Sequence, residues 1–212
     1  RQRQMCIRDR YSTKRIKGEL AVFRNKISRF IYVEPTGTTF DDPDTVEIED
    51  TPVFDYTQAD ATLTGGELSV EALAADWLVL NAGYDIVRGK NDKTNEDLPL
   101  IPADRFRGGV RLQAKQLGKI FDRPYIGGGA RVYKKQNRID LNETKTPGYP
   151  LWDVSAGTEV KIADSHLNLD IGVENLGDKK YFDHLSRNKT VGIFNPGRNF
   201  FVKASMPFGI VK

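Results

Sequence analysis

His166 and His184 are the only histidines in the 212 residues, and Cys6 is the only cysteine. A zinc site needs several nitrogen or sulfur ligands, and neither histidine belongs to a His-x-x-x-His or Glu-x-x-His spacing. Gly83 to Lys90 has the outline of a phosphate loop, but the spacing is off by one and Asn91 stands where Ser or Thr is required. Gly127-Gly128-Gly129 leads into a strand-like segment, so it has no helix N-terminus with which to hold a phosphate. No spacing offers a serine its base and orienting acid, so the sequence gives no support to an enzyme. Asp41, Asp42, Asp44, Glu47, Glu49 and Asp50 could meet a divalent cation. They lack the EF-hand order, and a solvated loop is the favoured reading.

The remaining polar constellation lies on segments that alternate with period two, the signature of strands. In Arg105 to Gln113, the residues Phe106, Gly108, Val110 and Leu112 oppose Arg105, Arg107 and Arg111. Arginines at mid-depth in lipid would each cost about 2 to 4 kcal/mol, so that face must meet water or counter-charges. Trp152, Val154, Ala156, Val160 and Ile162 similarly oppose Asp153 and Glu159, and Ala130 and Val132 oppose Arg131. Alternation continues through 77–87 and 167–174, and from Phe200 to Phe208. Two segments change phase. In 18–33 either a bulge near Asn25 or an exit from the membrane accounts for it, and in 56–72 the pair Gly65-Gly66 is expected to flip the phase.

About eight strands result, joined alternately by long polar loops (34–52, 88–104, 136–149 and the loop after 174) and short turns. This predicts an all-β, antiparallel up-and-down sheet whose two ends face different environments, as in an outer-membrane barrel. Trp77, Tyr84, Trp152 and Phe208 sit where an aromatic girdle would lie. Mean hydropathy is low at −0.50, but alternation dilutes that average in a barrel wall. A passive porin shares this pattern, and a soluble β-sandwich would need both faces covered.

Residues 1–10 contain MCIRDR, which looks like a translated sequencing adapter, and are set aside as non-native. Four of the 32 basic residues and one of the 29 acidic ones lie there, leaving 28 of each in residues 11–212. The net charge of +3 thereby disappears, and with it any electrostatic case for nucleic acid.

Val173-Glu-Asn-Leu-Gly-Asp-Lys-Lys-Tyr181, followed by His184 and by Gly197-Arg-Asn-Phe-Phe201 leading into a last strand, resembles the C-terminal end of TonB-dependent receptors. QADATLTGGELSVEA resembles a strand of the same family whose acid, here Glu67, points into the lumen. The resemblance implies the last eight or so strands of a 22-stranded plugged barrel in the bacterial outer membrane, with residues 11–212 forming that portion. Its implied work is active uptake of a scarce ligand, foremost an iron chelate such as a siderophore or haem. Energy would come from the TonB complex, acting through an N-terminal plug absent from this sequence. No cofactor is implied. Glu67, Arg105, Arg107, Arg111, Arg131, Asp153 and Glu159 would then line the lumen and dock the plug. Tyr181, His184 and Arg187, in the last long loop, would be the residues to touch the ligand.

Overall fold

The computed structural model describes residues 2–40, 51–140, 143–162 and 165–206. They form one antiparallel sheet of ten strands: β1 (Gln2–Ser12), β2 (Ile16–Phe40), β3 (Thr51–Ala75), β4 (Leu78–Asn91), β5 (Arg105–Gln113), β6 (Gln116–Leu117), β7 (Phe121–Tyr133), β8 (Tyr149–Ile162), β9 (Ser165–Glu174) and β10 (Asn199–Ser205). Each pairs with its chain neighbour, except that β6 is a two-residue flap on β7 and β5 pairs directly with β7. All eight expected strands are present. The set-aside N-terminal residues add β1, in register with β2 from Gln2↔Ile27 to Ser12↔Lys17. Phe208 and the acidic run 41–50 lie outside the described residues. No helix among the described residues is long and apolar enough to cross a membrane, which says nothing of a β-barrel.

Alternation and register together make one continuous apolar face. Leu20 pairs with Leu68, Leu68 with Tyr84 and Tyr84 with Phe106. Phe106 pairs with Val132, Gly128 with Val154, Val154 with Val173 and Val173 with Phe200. These side chains are bare: Leu80 is 39% exposed, Val154 38% and Phe200 72%. A sandwich would bury them together, so the face is covered by something other than this chain.

Of the two expected phase changes, only the first occurs. In β2 the register shifts between Ile27 and Phe30, where Ser28 and Arg29 oppose the single residue Asp60. Arg29 takes a left-handed φ of 57°, and its N–H donates to Asp60 Oδ1 at 2.9 Å, which fixes the bulge. Ile31 and Val33 thereby rejoin the face of Leu20 and Val22. The flip expected at Gly65-Gly66 does not occur, because pairing runs unbroken from Ala61 to Ala72 against β2 and from Ala61 to Leu73 against β4. Ala61 and Leu63 therefore share the polar face with Glu67. They are apolar because Leu98 and Ile101, from the loop after β4, fold back over them into a core with Phe30 and Val87.

The long connections are accordingly less loop-like than composition suggests. Both described flanks of the segment 34–52 belong to the ladder, with Glu34↔Asp55 and Phe40↔Thr51 extending β2 and β3 to 25 residues each. At about 3.4 Å per residue this hairpin far exceeds an apolar band about 25 Å tall, so its far end projects beyond the band.

Candidate lumenal site

On the polar face, strand register places the arginines, and Arg105, Arg107, Arg123 and Arg131 are each held by an acid one strand away. Arg105 Nε donates to Asp85 Oδ2 at 2.8 Å, and Arg107 Nη2 to Asp85 Oδ1 at 2.9 Å. Arg131 grips Asp153 with two bonds, of 2.8 and 2.9 Å, and Asp153 also accepts the Asn175 N–H at 3.0 Å. A bidentate arginine–carboxylate pair fixes both planes and orients the wall. Glu159 pairs with Arg123 and lies 2.9 Å from His166 Nδ1. Arg111 stacks over the Tyr125 ring at 5.7 Å, and Tyr125 donates to Asp170 at 2.7 Å.

Arg107, Arg111 and Arg131 wall a recess of about 350 Å³ floored by Gly127, Gly128 and Gly129. At Gly127 a Cβ would stand 3.1 Å from the Val110 carbonyl oxygen, so a side chain on the floor would press against the backbone of β5. Arg107 Nε and Arg111 Nε are buried without a hydrogen-bond partner. The recess thus offers donors to an acidic guest.

Above this wall the loops interlock. Gln136, fully buried, donates to the carbonyls of Ile101 and Pro102 at 2.8 and 3.1 Å, tying the loop after β7 to the loop after β4. His184 Nδ1 lies 2.8 Å from Thr146 Oγ1 and Nε2 3.0 Å from Glu143 Oε1, tying in the loop after β9. Tyr133, Tyr149 and Tyr181 stack with ring centroids 4.6 and 4.5 Å apart, and burial pushes the Tyr181 phenol up from its ordinary range. Beneath lies a pocket of about 260 Å³ whose lining includes Glu67, Asp85, Arg105, Tyr149, Asp183 and His184.

Sequence reasoning singled out Glu67, Arg105 and His184, and the fold brings them into one pocket with Tyr181 stacked on its wall. Arg187 stands apart, exposed on the 3-10 turn Arg187–Lys189. His184 is only 3% exposed, so its ring faces the pocket and the neighbouring loop and not the open loop surface. The sequence reading missed Asp85, Arg123, Tyr125 and Asp170. Asp85 carried a signal, since it alternates with Tyr84 and Ile86, but its partners appear only once β4 and β5 are in register. Among the described residues, no group of three or more His, Cys, Asp or Glu side chains could hold a metal ion.

This geometry, a charged and aromatic wall backing an apolar face, agrees with the comparisons. Residues 7–176 match the family model described as TonB dependent receptor-like, beta-barrel. The chain belongs to that family, whose members are bacterial outer-membrane receptors. No curated protein matches the chain in sequence. Among solved structures, the copper transporter OprC is 22% identical with a TM-score of 0.75, over 96% of this chain and 30% of its own. The ferric preacinetobactin receptor BauA of Acinetobacter baumannii is 17% identical with a TM-score of 0.66, over 97% of this chain and 29% of its own. The FrpB iron transporter of Neisseria meningitidis is 16% identical with a TM-score of 0.64, over 95% and 30%. These likenesses show the fold, and the chain spans about 30% of the length of OprC and FrpB.

Proposed function

We propose that this chain forms the C-terminal wall of a 22-stranded, plugged outer-membrane receptor that takes up a scarce ligand, first among candidates an iron chelate, with energy from the TonB complex. The observation that carries the reading is the pocket under the interlocked loops, where aromatic rings, an arginine and carboxylates converge on the polar side of a lipid-facing sheet. Such a mixture suits a rigid, aromatic or anionic chelate. Iron chelates are favoured because BauA and FrpB bear iron-related names, and OprC keeps copper as the competing cargo. The Arg107–Arg111–Arg131 recess is assigned to the plug, which would bring acidic side chains to the unpartnered arginine nitrogens. Residues 1–10 are read as non-native on the MCIRDR segment; Asp9 stands on the apolar face opposite Leu20, a face that Met5 and Ile7 share, and the family match begins at residue 7.

Uptake of radioactive iron as a ferric siderophore, by cells whose only receptor is the complete protein, tests this. Uptake should require TonB and fall when Tyr181 and His184 are replaced together. Uptake that persists without TonB would indicate a passive porin, and TonB-dependent copper accumulation without iron uptake would reassign the cargo.

A further inference from the structure

The apolar face ends abruptly at a cluster of cations, and no part of the transport reading uses it. On β4 the outward residues run Leu78, Leu80, Ala82, Tyr84, Ile86 and then Arg88. From Leu78 to Arg88 the climb along a strand tilted about 40° is roughly 25 Å, the height of the apolar band. Arg88 therefore stands where hydrocarbon gives way to headgroups, on the long-loop side, which in an outer-membrane barrel faces outward. Asp104, 5% exposed, collects the charges there. Arg88 grips it with bonds of 2.6 and 3.0 Å, Arg138 donates to it at 3.3 Å, and Tyr84 donates at 3.2 Å. Lys134, the next outward residue after Val132, places Nζ 3.3 Å from the Tyr84 hydroxyl and 5.3 Å from its ring centroid. Two cations thus share one carboxylate while a third, Lys134, rests on the tyrosine beside it, and Arg138 Nε is buried without a hydrogen-bond partner. Across Thr64, Arg24 aligns with Arg88 and extends the cluster along the same outward face.

We propose that this rim is a docking site for the phosphate-bearing headgroup of a lipid in the surrounding outer leaflet. An excess of positive charge at the border of a lipid-facing surface is complementary to lipid phosphates and lies within reach of them. A soluble anion has no need of the adjoining hydrocarbon band. The apolar residues directly below, Phe106 and Val132, are 46% and 37% exposed and continue the contact along the acyl chains. Asp104 and Tyr84 position the three cations, and Lys134 and Arg138 make the contact. The inference rests on the outward orientation of the apolar face, but not on any ligand or plug.

The test is native mass spectrometry of the complete receptor in detergent, titrated with diphosphorylated lipid A, its dephosphorylated form and inorganic phosphate. The intact receptor should bind the phosphorylated lipid in preference to the other two. The double variant Lys134→Gln/Arg138→Gln should lose about 30-fold in affinity, whereas Lys93→Gln, an equal charge change per site on an exposed loop, should lose nothing measurable. Equal binding of the dephosphorylated lipid, or an unchanged double variant, would overturn the proposal. Inorganic phosphate competing as well as lipid would reduce the rim to an anion site and also overturn it. If the double variant does not show the heat-modifiable migration of a folded barrel, Lys134→Gln alone and the salt dependence of wild-type binding decide. Binding insensitive to salt would refute the rim. A receptor extracted into plain buffer as a folded monomer would instead refute the membrane orientation beneath it.

Discussion

Gly65 and Gly66 show how finely single side chains are specified here. Gly65 lies on the polar face under the Phe23 ring, and a Cβ there would also stand 2.6 Å from the Ile86 carbonyl oxygen. Gly66 points to the apolar side, where a Cβ would be slightly tight at 3.3 Å from the Ala21 carbonyl oxygen and in ordinary contact with Val22 at 3.5 Å. Gly65→Ala should therefore destabilise the complete receptor by about 1 to 3 kcal/mol, while Gly66→Ala stays within about 0.5 kcal/mol, in urea unfolding in detergent. Phe201 over Gly172 and Tyr125 over Gly157 repeat the arrangement, an inward aromatic covering a glycine on the next strand. Asp104 supplies a second residue-scale expectation. Burial raises its pKa, but the Arg88 and Arg138 charges outweigh that and hold it below the ordinary carboxylate range. A depressed folded pKa contributes stability above the unfolded value, and that stability is lost as pH falls through the folded one. The thermal midpoint of wild type should exceed that of Asp104→Asn at neutral pH, and the two should converge on strong acidification.

At the scale of elements, the sequence displayed its strands better than its loops. Period-two alternation located all eight expected strands because each has one greasy and one wet side. It failed at Ala61 and Leu63, where apolar residues on the wet side are covered by Leu98 and Ile101. The phase seemed to flip when only the covering had changed. LPLIPADR likewise read as polar loop, since nothing local shows that Leu98 and Ile101 are buried against Ala61 and Leu63. Gln136 is the clearest case of a role invisible in sequence, being polar, in a loop and fully buried. Gln136→Ala would strip the Ile101 and Pro102 carbonyls of their shared donor. A cost of about 1 to 3 kcal/mol is expected, with the loops after β4 and β7 becoming protease-sensitive together. Cleavage confined to one loop would show that the two are not coupled.

For the whole molecule, fold and family were legible in the alternation and in the spaced motifs of the C-terminal stretch. The site was legible only in part. The arginines announced themselves by being forbidden in lipid, but Asp85, which holds Arg105 and Arg107, and the Tyr125–Asp170 pair beneath Arg111 were set by registers that no single strand encodes. His184 was singled out for its loop position and proves to be a tie between loops that also lines the pocket. The sheet as a whole has one face that this chain leaves bare and one that it furnishes with paired charges. The most direct test of that division is spin-label accessibility in membranes, on the complete receptor carrying one cysteine at a time. Labels at Leu80, Val110 and Val154 should be relaxed by oxygen dissolved in hydrocarbon, and labels at the adjacent Asn81, Arg111 and Ser155 by an aqueous nickel reagent. Equal response at both sets, or the reverse pattern, would contradict the account.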